Sequence, residues 1–193
     1  MVAIVKEVLD EDYWEIKIDN LRIEEDLCTK STKVSCIINL NDKAIQIEES
    51  GHGPIDALFN GLKNSFKKSY LSFRGLSICG FSIEGDIDRK LNMSSEVECT
   101  LTISSDSNFR PQIYRYRDAS INRAAICVVL NAVEYYINSE RAMKILRSWA
   151  ADAQKRNRGD LFDQSVMKMS KLIEGASYTD TLVTLSENHD FED

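Results

Sequence analysis

The order of the predicted strands and helices constrains the fold of this chain most strongly. Apolar residues alternate with polar ones from Trp14 to Ile18, where Leu21 and Ile23 extend the pattern past a bulge, and again from Val34 to Leu40. A period of two is typical of half-buried strands. The pair Asn41-Asp42 predicts a tight hairpin turn into a third strand over residues 44–48.

A short motif, Gly51-His52-Gly53-Pro54-Ile55-Asp56, follows this third strand. Proline favours the first helical position and Gly53 then lies at the N-cap, which places Asp56 at the third position, facing unpaired N–H groups. The motif predicts a helix from Pro54 to about Lys67. Its apolar stripe comprises Ile55, Leu58, Phe59, Leu62 and Phe66.

The same order then recurs. Residues 71–83 predict a long strand with bends at Gly75 and Gly80, residues 97–103 and 113–116 predict two more strands, and a second helix is predicted from Ser120 to Asn138. The sequence therefore predicts an α+β fold of two βββα units with a pseudo-two-fold relation. Each unit is expected to have a helix on one face of an antiparallel sheet.

Residues 139–193 break this order, so the chain is predicted to divide into a repeat domain, 1–138, and a helical extension with an acidic tail, 139–193. Residues 142–153 and 160–175 each predict an amphipathic helix, and the acidic residues 187–193 are expected to be mobile. The helical pair has three possible places: its own sheet, a partner subunit or a different protein. Residues 1–12 fit a short strand or a helical turn equally well.

Composition narrows the classes of partner. A net charge of −7 and a sequence pI near 5.0 argue against general binding to nucleic acid or anionic membranes. Residues 110–117, followed by Arg123, are basic and aromatic. Tyr and Arg alternate over residues 114–117, which fits base stacking, but a strand with exposed arginines beside acids fits better. Five cysteines without a C-x-x-C pair predict reduced thiols and the cytoplasm, and no stretch is apolar enough to predict a membrane span.

Catalytic and metal-binding signatures are absent from the sequence. The two histidines, His52 and His189, have no metal-ligand spacing, and neither a nucleophile elbow nor a phosphate-binding loop is present. No cofactor is predicted. An enzyme that uses His52 with Asp56 or Asp118 is the weakest interpretation. The free N–H groups of the Gly51–Pro54 turn suit instead the carboxylate or phosphate of a small ligand.

The residues Gly51, Gly53, Pro54 and Asp56-Ala57-Leu58 after three strands resemble the C-terminal regulatory domain of alpha-isopropylmalate synthase and citramalate synthase. The similarity covers about residues 14–138 and includes Ser120 before an alanine-rich helix. It implies two βββα units, a homodimer, and binding of a branched-chain amino acid at the dimer interface, as in feedback control of leucine biosynthesis. The catalytic barrel of those enzymes has no counterpart here. The second turn, residues 116–122, also lacks the family's usual glycines.

The resemblance predicts a non-catalytic regulatory domain that acts on a synthase in trans. Its predicted ligand-binding residues are Gly51, His52, Gly53, Pro54, Ile55, Asp56, Asp118 and Ser120. The first turn is expected to bind the ligand carboxylate, Asp56 or Asp118 the ammonium, and Ile55 or Leu58 the apolar side chain. The alternative is an interaction module that kept the dimerisation scaffold and lost effector binding.

Overall fold

The computed structural model describes residues 2–41, 43–85, 96–105 and 108–175. Asp42 of the predicted hairpin turn and the acidic tail at 187–193 lie outside these residues. The first unit contains α1 (Val2–Leu9), β1 (Ile16–Asp26), β2 (Ser31–Leu40), β3 (Lys43–Gly51) and α2 (Pro54–Phe66). The second contains β4 (Leu76–Gly85), β5 (Val97–Ser105), β6 (Asn108–Asp118), α3 (Ile121–Lys155) and α4 (Gly159–Gly175).

The six strands form two antiparallel sheets, ordered β1-β2-β3 and β4-β5-β6. In β1 the register shifts between Asp19 and Arg22, and Asn20 there has a φ of 51°, a conformation that asparagine tolerates better than most residues. This is the predicted bulge before Leu21. The predicted α+β architecture with three-stranded antiparallel sheets is confirmed.

One hydrophobic core joins the two units. On β2 every second residue from Val34 to Leu40 is buried, and the same alternation runs along β5 from Val97 to Ile103. Helix α2 covers β2 and β3, while α3 covers β5 and β6. Residues of both helices and both sheets belong to a single buried cluster. The two units therefore stabilise each other, because each helix and sheet face leaves apolar surface that its own unit does not fill.

The predicted strand over residues 71–83 is wrong at its beginning. Residues Leu71–Phe73 form a turn of 3-10 helix, and β4 begins only at Leu76. Phe73 is fully buried there, against the rings of Phe66 and Tyr136. Alternation alone could not reveal this turn, because its conformation depends on a long-range contact. Ser72 donates from N–H and hydroxyl to the buried Glu140 carboxylate, at 3.1 and 2.9 Å.

The two helices predicted on either side of residue 138 are one continuous helix, α3. The polar sequence Asn138-Ser139-Glu140, which lies at the predicted boundary, is buried within this helix. Asn138 accepts a hydrogen bond from the Trp14 N–H at 3.0 Å and donates to the Trp14 carbonyl at 2.7 Å. Polar residues in a helix interior are tolerated when such partners satisfy them. The predicted domain boundary at residue 138 therefore falls inside α3.

The C-terminal helices pack onto their own chain. Val5, Val8 and Leu9 of α1 form a second buried cluster with Leu146 of α3 and Leu172 of α4. Residues 1–12, left open by the sequence, thus contain a helix that packs between later elements. Some large apolar residues of the two helices predicted to be amphipathic stay exposed, among them Trp149 and Val166. Among the described residues, no helix has the length and apolar character needed to cross a membrane.

Candidate functional site at the starts of two helices

The Gly51–Asp56 turn is closed by its own aspartate. Gly53 is the N-cap residue with extended φ and ψ of −165° and 170°, and Pro54 begins α2 as predicted. The Asp56 carboxylate accepts the His52 N–H at 3.1 Å and the Asn60 side-chain amide at 2.9 Å. The His52 ring is fully exposed, with Nδ1 3.7 Å from Asp56 Oδ2. Asp56, at the third helical position, thus binds the backbone of the residue before the N-cap and ties the end of β3 to the start of α2.

The first turn of α2 has N–H groups that no described residue binds. The first intrahelical bond runs from the Ala57 N–H to the Gly53 carbonyl at 2.9 Å. The N–H groups of Ile55 and Asp56 therefore precede the hydrogen-bonded part of the helix, and Pro54 has none. Donors of this kind, at the positive end of a helix dipole, suit a carboxylate or phosphate.

The two glycines of the turn have different roles. A Cβ on Gly51 would lie 2.6 Å from Asp56 Oδ2 and 2.7 Å from the Ala57 backbone nitrogen, so the strand can approach α2 only without a side chain. A Cβ on Gly53 would meet nothing within 4 Å. The position that shapes the turn is therefore Gly51, whereas a small side chain at Gly53 would project into open space.

At the start of α3, charged side chains rather than glycines form the turn. Ser120 caps α3 and accepts the Arg123 N–H at 3.4 Å. Asp118 accepts the Ser120 N–H at 2.9 Å and binds the Arg123 guanidinium through both of its oxygens, each at 2.7 Å. The guanidinium, together with the Ser120 N–H, holds the pKa of the Asp118 carboxyl below its usual range. Asp118 is thus ionised and already paired at neutral pH.

The predicted site residues fall into two separate groups. Gly51 to Asp56 lie at the start of α2, and Asp118 and Ser120 at the start of α3. Within the described ranges, no hydrogen bond or ion pair links the two groups. Leu58 is fully buried in the core and so cannot line an accessible pocket, whereas Ile55 is half-buried at the edge of that core.

Two further residues take part that the sequence analysis did not assign to these turns. Asn60 binds Asp56 from one helical turn onward, and Arg123 binds Asp118. The spacing of Asp56 and Asn60, four apart on a predicted helix, was the available signal for the first. For Arg123 there was none, because its partner lies across the turn that precedes the helix.

A cleft at the opposite end of the first sheet is a distinct feature. It has a volume of about 530 Å³ and is lined by Tyr13, Trp14, Glu15, Lys17, Asn39 and Asn41. Strand pairing places Leu40 beside Lys43 at this end and Thr32 beside Gly51 at the other. This cleft therefore belongs to neither helix start.

Other chemistry predicted from the sequence can be placed on the fold. Arg115 and Arg117 of β6 both face Glu98 of β5, while Tyr114 and Tyr116 pack at the edge of the core. Strand β6 thus has arginines paired with an acidic residue, which is the interpretation that the sequence analysis favoured over base stacking. All five cysteines are free thiols, and burial raises the pKa of Cys36 and Cys99. In the part of the chain that the structure describes, no cluster of His, Cys, Asp or Glu has the geometry to bind a metal ion.

The geometry of the first unit can now be compared with known families. Residues 1–85 match the LeuA allosteric (dimerisation) domain. The matched range runs from α1 through β4 and contains the whole Gly51–Asp56 turn. The resemblance to the regulatory domain of isopropylmalate and citramalate synthases is therefore confirmed over these residues. Strands β5 and β6 and helices α3 and α4 lie beyond the match. No curated protein matches the chain.

Proposed function

We propose that this protein is a non-catalytic, homodimeric regulatory domain of the cytoplasm, which binds a branched-chain amino acid or a similar small effector. The observation that carries the proposal is the match of residues 1–85 to an allosteric dimerisation domain, which includes the turn at α2. The dimerisation function in the description of the matched family supports the homodimer. The effector and the synthase partner in trans rest on the resemblance to the regulatory domain of isopropylmalate and citramalate synthases.

The first helix start supports the effector. A branched-chain amino acid needs donors for its carboxylate, an anion for its ammonium and an apolar contact. The N–H groups of Ile55 and Asp56 suit the first need, the partly exposed Asp56 carboxylate the second and the Ile55 side chain the third. At the second helix start, Asp118 would have to exchange its contact with Arg123 for the ligand ammonium.

The ion pair between Asp118 and Arg123 supports a second candidate function. Asp118 and Asp56 both have partners from their own chain, so neither carboxylate requires a ligand. A domain that kept the dimerising scaffold and lost effector binding would be expected to have such self-satisfied turns. In this case residues 139–175, the second half of α3 together with α4, are the place to look for a protein partner.

Titration calorimetry separates the two functions. The purified protein is titrated with leucine, isoleucine and valine, and the titration is repeated on Gly51→Ala and on the matched control Gly53→Ala. Saturable binding that Gly51→Ala weakens at least tenfold and Gly53→Ala leaves within threefold supports an effector site at this turn. Absence of binding to all three amino acids by the folded wild type would refute the branched-chain effector and leave the scaffold.

A further inference from the structure

Strand β4 is an edge of the second sheet that lacks the usual protection of an exposed edge. The sheet order β4-β5-β6 leaves one side of β4 without a neighbouring strand in the described part of the chain. Edge strands of soluble proteins are usually protected by charged side chains or proline, because their free N–H and C=O groups can pair with another chain. Residues 76–83 of β4 contain neither a charged residue nor a proline.

The other described edge strands have this protection. They are β1 and β3 of the first sheet and β6 of the second. Charged residues or proline occur along each of them: Lys17, Asp19, Arg22 and Glu24 in β1, Lys43, Glu48 and Glu49 in β3, and Pro111, Arg115 and Arg117 in β6. Strand β4 is therefore the described edge that is most open to pairing with another chain.

The second half of β4 also exposes apolar side chains on the core side of the sheet. Phe81 lies opposite Leu101 and Ile83 opposite Cys99, and both of these β5 residues are fully buried. Phe81 and Ile83 themselves are 37% and 47% exposed. Helix α3 packs on β5 and β6. The apolar face of the sheet thus continues at β4 beyond the cover that its own chain provides.

The beginning of β4 is already engaged by its own chain. Lys63 of α2 donates to the Leu76 carbonyl at 2.6 Å, and Leu76 is buried in the core. The register with β5 shifts between Ile78 and Gly80 and is regular from there to Gly85. The regular part of β4 is therefore the segment to which a further strand can be added.

A second copy of this chain is the occupant that these observations favour. The match to an allosteric dimerisation domain covers residues 1–85 and thus all of β4. In a two-fold symmetric dimer the same surface of both subunits meets itself. An edge strand meets this requirement, because antiparallel pairing about an axis perpendicular to the sheet places the strand against its own copy.

We propose that residues 80–84 of two copies pair antiparallel about a two-fold axis at Ser82 and join the two second sheets into one sheet of six strands. This inference rests on the homodimer of the proposed function and specifies its interface. Such an axis places residues of the same sheet face opposite each other, so Phe81 meets Ile83 of the partner subunit. Glu84 lies opposite Gly80 of the partner subunit, so the pairing brings no like charges into direct opposition.

Complementary charges at Phe81 and Ile83 test this pairing in the full chain. Phe81→Glu and Ile83→Lys each place charged groups against apolar residues in the homodimer, so each variant is expected to raise the dimer Kd at least tenfold in sedimentation equilibrium. An equimolar mixture of the two variants can form heterodimers with one ion pair and one unchanged Phe81–Ile83 pair. The mixture is therefore expected to return to within threefold of the wild-type Kd.

Ile113→Lys is the matched control, because Ile113 is 59% exposed on β6 at the other edge of the same sheet. Its dimer Kd should stay within threefold of the wild type, and circular dichroism checks that every variant is folded. Dimerisation that both β4 substitutions leave unchanged, or a mixture no tighter than the separate variants, would overturn the pairing while the homodimer stands. A wild type that is monomeric at every concentration would refute the homodimer and the pairing together.

Hydrogen exchange of the wild type gives a second test that needs no substitution. The amides of residues 80–84 that point away from β5 should exchange more slowly at concentrations above the dimer Kd than below it, because the partner strand then binds them. The amides of residues 112–116 in β6 should keep their rates. Equal exchange of residues 80–84 in monomer and dimer would overturn the pairing.

Discussion

The close approach of β3 to α2 at Gly51 makes a prediction that depends on only a few atoms. Alanine at this position would place its Cβ 2.7 Å from the Ala57 nitrogen and 3.0 Å from Ala57 Cα, which are backbone atoms of the helix. These atoms can move only if the start of α2 shifts away from the sheet. Inserting a methyl group into such a contact costs about 1–3 kcal/mol. Alanine also makes the unfolded chain less flexible, which favours the folded protein by about 0.4–1 kcal/mol.

We therefore expect Gly51→Ala to lower the free energy of unfolding by about 1–2 kcal/mol. For a protein of this size that corresponds to a fall in Tm of about 2–8 °C. Gly53→Ala is the matched control, because its Cβ meets nothing within 4 Å, and its change is expected to stay below about 1 kcal/mol. No described glycine has a positive φ, so a strained backbone does not distinguish the two positions.

Urea unfolding, monitored by circular dichroism, gives the free energy of unfolding of both variants and of the wild type. A third variant, Gly51→Ala with Asp56→Ala, removes the carboxylate contact at 2.6 Å but leaves the backbone contacts. It should therefore be no more stable than Gly51→Ala. Wild-type stability of Gly51→Ala, or its recovery in the double variant, would refute the argument that the backbone of α2 is what excludes a side chain.

Three further predictions concern the core and the buried polar groups. Gly61→Ala should lower the free energy of unfolding in urea by about 1 kcal/mol, because its Cβ would lie 2.4 Å from Ile47 Cγ2. Overpacking of this kind costs about 1–3 kcal/mol, more than the gain in helix propensity of about 1 kcal/mol. A variant more stable than the wild type would contradict this. Glu140→Ala should lower the free energy of unfolding by about 2 kcal/mol or more in the same assay, since the buried Ser72 N–H loses its acceptor. Lys144→Met, which removes only the ion pair, should lower it by less than about 1 kcal/mol. Equal losses of stability in the two variants would contradict the assigned role of the carboxylate. Burial raises the pKa of Tyr136 to about 12 from 10.0, so on raising the pH the unfolded chain releases this proton before the folded protein does. The free energy of unfolding of the wild type should therefore fall by about 2–3 kcal/mol between pH 10 and 12. Tyr136→Phe should remove that part of the alkaline loss, and a pH profile unchanged by the substitution would contradict this.

The sequence was sufficient where local patterns decide the structure. The alternation along β2 and β5, the proline at the first position of α2 and the start of α3 at about Ser120 were predicted from short-range signals, and each was confirmed. Even the bulge before Leu21 was predicted, because a residue out of phase must be absorbed somewhere in an antiparallel pair.

Long-range contacts decided the parts that the sequence could not predict. The 3-10 turn at residues 71–73 depends on Glu140, 68 positions away from Ser72. The continuity of α3 depends on Trp14, whose backbone satisfies the buried Asn138. At the helix starts, the sequence predicted the turns but not how their aspartates are used. Asp118 with Arg123 shows that an acidic residue in a predicted site can already be occupied.

Sedimentation equilibrium tests the central claim most directly, because both candidate functions rest on a dimerising scaffold. The chain has a mass of 22.0 kDa. A homodimer predicts a species of twice that mass across micromolar concentrations, with or without leucine. A single species of 22.0 kDa at every concentration and in the presence of each branched-chain amino acid would contradict the account of this protein as a dimeric regulatory domain.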